Sequence, residues 1–71
     1  MLSEIQLQKL INKGMTYIFI SKENEGYVMN TLTTVGWSSE EIKTENELAD
    51  VINMWKYQPD VLIDTYSDIN I

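Results

Sequence analysis

Residues 15–35 of this chain read MTYIFISKENEGYVMNTLTTV, and this stretch decides the fold. Its first part, from Met15 to Ser21, is rich in aromatic and β-branched residues, which favour a strand over a helix. A polar segment that ends in Gly26 follows, so residues 27–35 are predicted to return as the partner strand of a hairpin. Gly36 is predicted to end this second strand.

The segment before the hairpin carries the signals of a helix from Glu4 to Asn12. Ser3 and Gln6 match a capping box, in which two side chains satisfy the free amides of a first helical turn. Gly14 lies just past the expected helix end, where glycine is common because it adopts a positive φ angle without strain. We therefore predict a first helix that leads directly into the hairpin.

The clearest helix signal lies after the hairpin, at Thr44-Glu45-Asn46-Glu47, which is a second capping box. The apolar residues that follow have the i, i+3, i+4, i+7 spacing of one buried stripe, and they are Leu48, Val51, Ile52 and Trp55. Pro59 disfavours helical geometry at the residue before it, so this helix should end near Lys56 or Tyr57. We expect its stripe to pack against hairpin residues 17–20.

Two segments permit more than one interpretation. Residues 37–43 could begin a helix at Ser38 or form a short edge strand, and we favour the strand. Residues 61–71 alternate apolar and polar side chains with a period of two, which fits a half-buried final strand; a short helix is the competing interpretation. The whole chain, residues 1–71, is then one small α+β domain in the order helix, strand, strand, short strand, helix, strand. Its sheet is built on an antiparallel hairpin and packs on the helices.

Composition excludes many functions. The 71 residues include no Arg, His or Cys, so the chain has no side chain whose unperturbed pKa lies near neutral pH and no thiolate to act as a nucleophile or as a soft metal ligand. It also lacks the guanidinium fork that recognises phosphate and guanine, and its formal net charge is −6. We therefore predict a protein that is not an enzyme, needs no cofactor and does not bind nucleic acid directly.

The densest chemical feature is a group of acidic residues between positions 40 and 50, relieved only by Lys43. These five candidate partner-binding residues are Glu40, Glu41, Glu45, Glu47 and Asp50. Such a surface can dock on a basic groove made for phosphates. In the alternative interpretation, Glu45 and Glu47 cap a helix and favour its dipole, Asp50 lies on a solvated face, and Glu40 and Glu41 occupy a loop.

A second acidic series recurs every fourth residue at Asp60, Asp64 and Asp68. Hard cations take oxygen ligands, but this spacing matches no calcium-binding loop, and we predict no metal site. The chain also lacks a phosphate-binding loop and a dinucleotide-binding motif.

Aromatic and unpaired apolar residues offer weaker signals. We expect Phe19 and Trp55 to lie in the core, as aromatics of so small a domain usually do. Ile5 and Met54 lie off the apolar stripes of their helices, which makes them candidates for contact with a partner.

The function that fits these observations is an acidic protein-binding module. Its specific form would be a phage or mobile-element inhibitor, of anti-CRISPR or anti-restriction type, that blocks a basic nucleic-acid-binding groove of a host protein. The alternatives are a small structural or regulatory homo-oligomer, and an enzyme subunit without catalytic residues. We expect a cytoplasmic protein without membrane association, because neither a signal peptide nor a long apolar run is visible. A homodimer is also expected, through an unpaired strand at residues 27–35 or 61–66.

Overall fold

The computed structural model describes residues 2–65 and has the predicted α+β architecture. In chain order its elements are α1 (Glu4–Asn12), β1 (Thr16–Glu23), β2 (Gly26–Thr33), β3 (Gly36–Ile42), α2 (Glu45–Trp55) and β4 (Val61–Thr65). The four strands form one mixed sheet in the order β3-β2-β1-β4. The first three strands are antiparallel neighbours, and β4 lies parallel to β1.

The hairpin predicted from residues 15–35 is present, with two differences. Its second strand ends at Thr33, and Gly36 begins β3 instead of ending β2. A two-residue loop joins the paired residues Thr33 and Gly36. Gly36 has a φ angle of 114°, which a residue with a Cβ atom rarely adopts. This glycine therefore allows the tight loop of a second hairpin, formed by β2 and β3. The strand predicted for residues 37–43 is confirmed over residues 37–42, and Lys43 lies just beyond it.

The position of β2 in the sheet corrects one expectation. Because β2 pairs with β1 on one side and with β3 on the other, residues 27–33 are interior and cannot offer an edge to a second copy. Within residues 2–65, the strands at the two edges of the sheet are β3 and β4. Of the two segments proposed for a dimer contact, only the one that starts at Val61 lies at an edge.

Both helices begin and end near the predicted residues. The Ser3 hydroxyl accepts a hydrogen bond from the Gln6 amide, and the Gln6 side chain accepts one from the Ser3 amide, which completes the capping box of α1. At the other end, the amides of Gly14 and Met15 bond to the carbonyls of Ile11 and Leu10. This is the Schellman arrangement that a glycine with a φ angle of 75° permits.

The helices lie on opposite faces of the sheet, and each covers its own apolar cluster. The α2 cluster consists of Ile18, Ile20, Met29, Ile42 and Leu48, and Val51, Ile52 and Trp55 pack against it, half-buried. The α1 cluster consists of Leu7, Tyr17 and Phe19, with Leu2, Leu10 and Leu32 around them. The prediction that α2 packs on residues 17–20 is therefore right for the isoleucines and wrong for Tyr17 and Phe19. Successive strand residues point to opposite faces, so these two aromatics meet α1.

The final strand is confirmed for Val61–Thr65, and the competing helix is excluded over those residues. The remainder of that prediction, residues 66–71, lies outside the described part of the chain. Among residues 2–65, neither helix has the length and apolar character needed to cross a bilayer.

Candidate functional site

Strand β3 is an exposed edge of the sheet. Every residue from Gly36 to Glu41 is solvent-exposed, and only the last residue, Ile42, is buried. In the part of the chain that the structure describes, β3 has a hydrogen-bonded neighbour on one side only, which is β2. The strand is nevertheless held firmly, because Ile42 enters the α2 cluster beside Leu48. The segment from β3 into α2 therefore presents its polar side chains from a fixed backbone.

All five predicted partner-binding carboxylates are exposed, but they do not share one face. Glu40 and Glu41 are neighbours on β3, so the pleat directs them to opposite sides of the sheet. Glu40 is paired with Met29 and lies on the α2 side, whereas Glu41 is paired with Val28 on the α1 side. The two carboxylates therefore flank the free edge from above and below.

The three acids on α2 have different roles. The Thr44 hydroxyl accepts a hydrogen bond from the Glu47 amide at 3.1 Å, and the Glu47 carboxylate accepts one from the Lys43 amide at 3.1 Å. Glu47 is thus committed to the helix start. At 3.6 residues per turn, Asp50 falls on the same flank of α2 as Glu47, and Glu45 falls on the other flank. The acids form a distributed negative surface around the β3–α2 connection and not a single ridge.

The structure adds two acids that the sequence interpretation missed. Glu23 and Glu25, at the loop of the first hairpin, line a groove of about 330 Å³ together with Glu41. They meet because Gly26 runs close to the end of β3, and a Cβ atom at this glycine would lie 2.7 Å from the carbonyl oxygen of Ile42. The hairpin register was the signal that could have identified them, since it sets residues 23 and 41 on the same side of the sheet.

Trp37 is the most prominent apolar feature of β3, and its role was also missed. Its side chain is 52% exposed, and its ring meets the Tyr17 ring edge-on at a centroid distance of 6.4 Å. A shallow groove of about 440 Å³ beside it is lined by residues of α1 and of the β2–β3 loop. A tryptophan on an edge strand, next to glycine and serine in the sequence, was the available signal.

A partly buried polar contact connects β1 to β4 on the α1 side. The Tyr17 hydroxyl donates a hydrogen bond to the Asp64 carboxylate at 2.7 Å, and that carboxylate also accepts from the Thr65 amide. Burial, followed by the hydrogen bond to Asp64, raises the pKa of Tyr17 to about 12. Asp64 is therefore half-buried, and its carboxylate is engaged by groups of the protein itself.

The other candidates are placed as follows. Asp60 is exposed, Asp68 lies outside the described residues, and no acidic group within residues 2–65 has the arrangement of a metal site. Phe19 lies in the core, and Trp55 packs half-buried against the α2 cluster. Ile5 and Met54 are 71% and 63% exposed, which leaves both free for a partner contact.

Comparisons of the chain with protein-family models, with curated proteins and with solved structures gave no significant match.

Proposed function

We propose that the protein is a non-enzymatic binding module whose acidic β3–α2 surface docks on a basic region of another protein. The observation that carries the proposal is the exposed edge strand β3, which bears Glu40 and Glu41 and leads directly into the acidic first turn of α2. A long-range negative potential steers a positively charged partner toward this surface and raises the association rate.

The acids of this surface differ in how freely their side chains can contact a partner. The Glu47 carboxylate accepts a hydrogen bond from the Lys43 amide at the start of α2. Its side chain therefore adds negative charge to the surface but is fixed in position. Glu40 and Glu41 have exposed side chains on either side of a free edge, and Glu45 and Asp50 extend the negative surface onto α2. The narrower form of the proposal is an inhibitor that occupies the nucleic-acid-binding groove of a host protein, as phage-encoded inhibitors of restriction or CRISPR systems do. This narrower form is suggested by the composition of the chain.

A charge-reversal experiment tests the surface. Glu40→Lys with Glu41→Lys raises the formal net charge from −6 to −2, because each reversal adds two units. The matched control combines Asn53→Lys, Gln58→Lys and Asp60→Lys, which reach the same net charge at exposed positions beyond the middle of α2. Tagged wild-type and variant proteins are used to capture binding proteins from a lysate of the source cell.

We expect wild type and the control to retain the same basic protein, and the β3 variant to lose it, because like charges at an interface cost several kcal/mol. Capture should also weaken at high salt, since the Debye length falls to about 3 Å at 1 M. Equal loss in both variants would mean that only overall charge matters. Self-association without any captured protein would favour the homo-oligomer.

A further inference from the structure

We propose that the partner binds as an extended basic segment that adds to β3 as a fifth strand of the sheet. This inference rests on the proposed function and specifies the contact. Because β3 is an edge strand, half of its backbone amides and carbonyls face away from β2 and can pair with another chain.

The hairpin register identifies the outward-facing groups. Residues of an antiparallel strand alternate between hydrogen-bonded and non-bonded pairs, and the pair that closes a two-residue loop is a bonded one. Thr33 and Gly36 close the loop, so Trp37, Ser39 and Glu41 direct their amides away from β2. The Ser39 hydroxyl donates a hydrogen bond to the side-chain amide oxygen (Oδ1) of Asn30 at 2.8 Å, as expected of a closely spaced, non-bonded pair.

The side chains around this edge define the chemistry of the added strand. Trp37 and Glu41 lie on the α1 side at opposite ends of the edge, and Glu40 lies on the α2 side. The complementary strand has an apolar residue opposite Trp37, and a lysine or arginine opposite each glutamate. Opposite charges and aromatic–aliphatic pairs across neighbouring strands both stabilise pairing. If the added strand is antiparallel to β3, its sequence from the N-terminus is basic, basic, polar, polar, apolar. These residues lie opposite β3 residues 41, 40, 39, 38 and 37 in turn.

A second copy of the chain fits this edge less well. Two β3 strands that pair antiparallel about Ser39 would place Glu40 of one copy diagonal to Glu40 of the other, roughly 7–8 Å away. Both copies would carry a net charge of −6 into the contact. Charge complementarity therefore favours a basic segment.

The test uses three synthetic peptides of one sequence, acetyl-Thr-Val-Lys-Lys-Thr-Thr-Ile-Thr-amide, and follows tryptophan fluorescence of the protein. The first peptide is unmodified. In the second, backbone N-methyl groups stand on the residues opposite Trp37, Ser39 and Glu41, which removes the amides that face β3. The third carries N-methyl groups on the residues opposite Ser38, Glu40 and Ile42, whose amides point outward. All three have the same charge.

We expect the first and third peptides to bind with similar Kd, and the second to bind roughly tenfold more weakly or worse, because three backbone hydrogen bonds are lost. On the protein side, Ser39→Pro and Ser39→Ala both lose the hydrogen bond to Asn30, but only the proline loses an outward amide. Only Ser39→Pro should weaken binding of the first peptide, and circular dichroism verifies that both variants fold.

Equal binding of the three peptides would overturn strand addition while leaving an acidic docking surface intact. Absence of binding by the unmodified peptide would overturn it as well. If the peptide binds with the expected methylation pattern but Glu40→Lys with Glu41→Lys leaves its Kd unchanged, strand addition stands and the proposed acidic function fails. A dimer that Ser39→Pro dissociates would assign the edge to a second copy instead.

Discussion

The two faces of the sheet differ in composition and in how much of each is covered, although alternate residues of β1 contribute to both. On the α2 side, Ile18 and Ile20 form an aliphatic core under a helix that packs against both edge strands, β3 and β4. On the α1 side, Tyr17 and Phe19 meet a helix that packs mainly on β1. The comparison shows that one face supplies core, whereas the other combines a small core with exposed surface around Trp37 and Glu41.

The largest predicted effect tests whether the α2 cluster is the main core. Leu48 and Leu7 are almost equally buried, at 4% and 7% exposed, and lie one in each cluster. We expect Leu48→Ala to lower the free energy of unfolding by about 3–5 kcal/mol and Leu7→Ala by about 2–3 kcal/mol. The reason is that more side chains surround Leu48, so the cavity collapses less. Urea titration measures both, and a larger loss for Leu7→Ala would contradict this ranking.

A second prediction concerns the close approach of the first hairpin to the end of β3. In Gly26→Ala the new Cβ atom would lie 2.7 Å from the Ile42 carbonyl oxygen, which is backbone and cannot rotate aside. We expect Gly26→Ala to lower the free energy of unfolding by about 1–3 kcal/mol, the usual cost of overpacking. Gly14→Ala is a useful comparison, since nothing lies near its Cβ position and only its φ angle of 75° opposes the substitution. A fully stable Gly26→Ala would show that β3 is held less tightly than proposed.

The polar contact of the α1 side gives a pH-dependent prediction. The pKa of Tyr17 is raised in the folded protein to about 12 from an ordinary value of 10.0. A raised pKa means that this contribution to stability is complete below pH 10 and is lost as the pH rises toward 12. Tyr17→Phe should cost about 1–2 kcal/mol at neutral pH, because the Asp64 carboxylate loses a donor.

As the pH rises from 10 to 12, the free energy of unfolding of Tyr17→Phe should fall less than that of the wild type, because the variant has no phenol at this position to ionise. Thermal melts at several pH values test this, with Tyr57→Phe as control because Tyr57 is exposed. Parallel alkaline curves for wild type and Tyr17→Phe would contradict it.

The smallest predicted effects compare the two helix starts. Thr44→Ala and Ser3→Ala each remove a hydroxyl that accepts a hydrogen bond from a backbone amide. We expect each substitution to lower the free energy of unfolding by about 1 kcal/mol. Thr44→Ala should be the more costly, since α2 covers the larger cluster. Denaturant midpoints of the two variants give the comparison. No change for Thr44→Ala would mean that Glu47 alone secures the start of α2.

Much of the fold could be predicted, and the candidate site less so. Caps, glycines and apolar periodicity are local signals, and they located α1, α2 and the hairpin within a few residues. Which face of β1 meets which helix depends on the path of the chain across the sheet, and Tyr17 and Phe19 were assigned to the wrong helix for that reason. The acids were identified as a group by their density in the sequence. Their distribution around β3 depends on the pleat and the pairing register.

The sequence by itself determined the element types, the helix ends and the chemistry that the chain lacks, because these follow from neighbouring residues and from composition. Only the tertiary structure decided that β4 joins β1 in parallel, that β2 is interior to the sheet and that β3 lies at an edge of it among residues 2–65. Strand order depends on contacts between residues far apart in the chain. The free edge beside Trp37 and Glu41, on which the proposed function depends, is therefore a product of topology and not of any local motif.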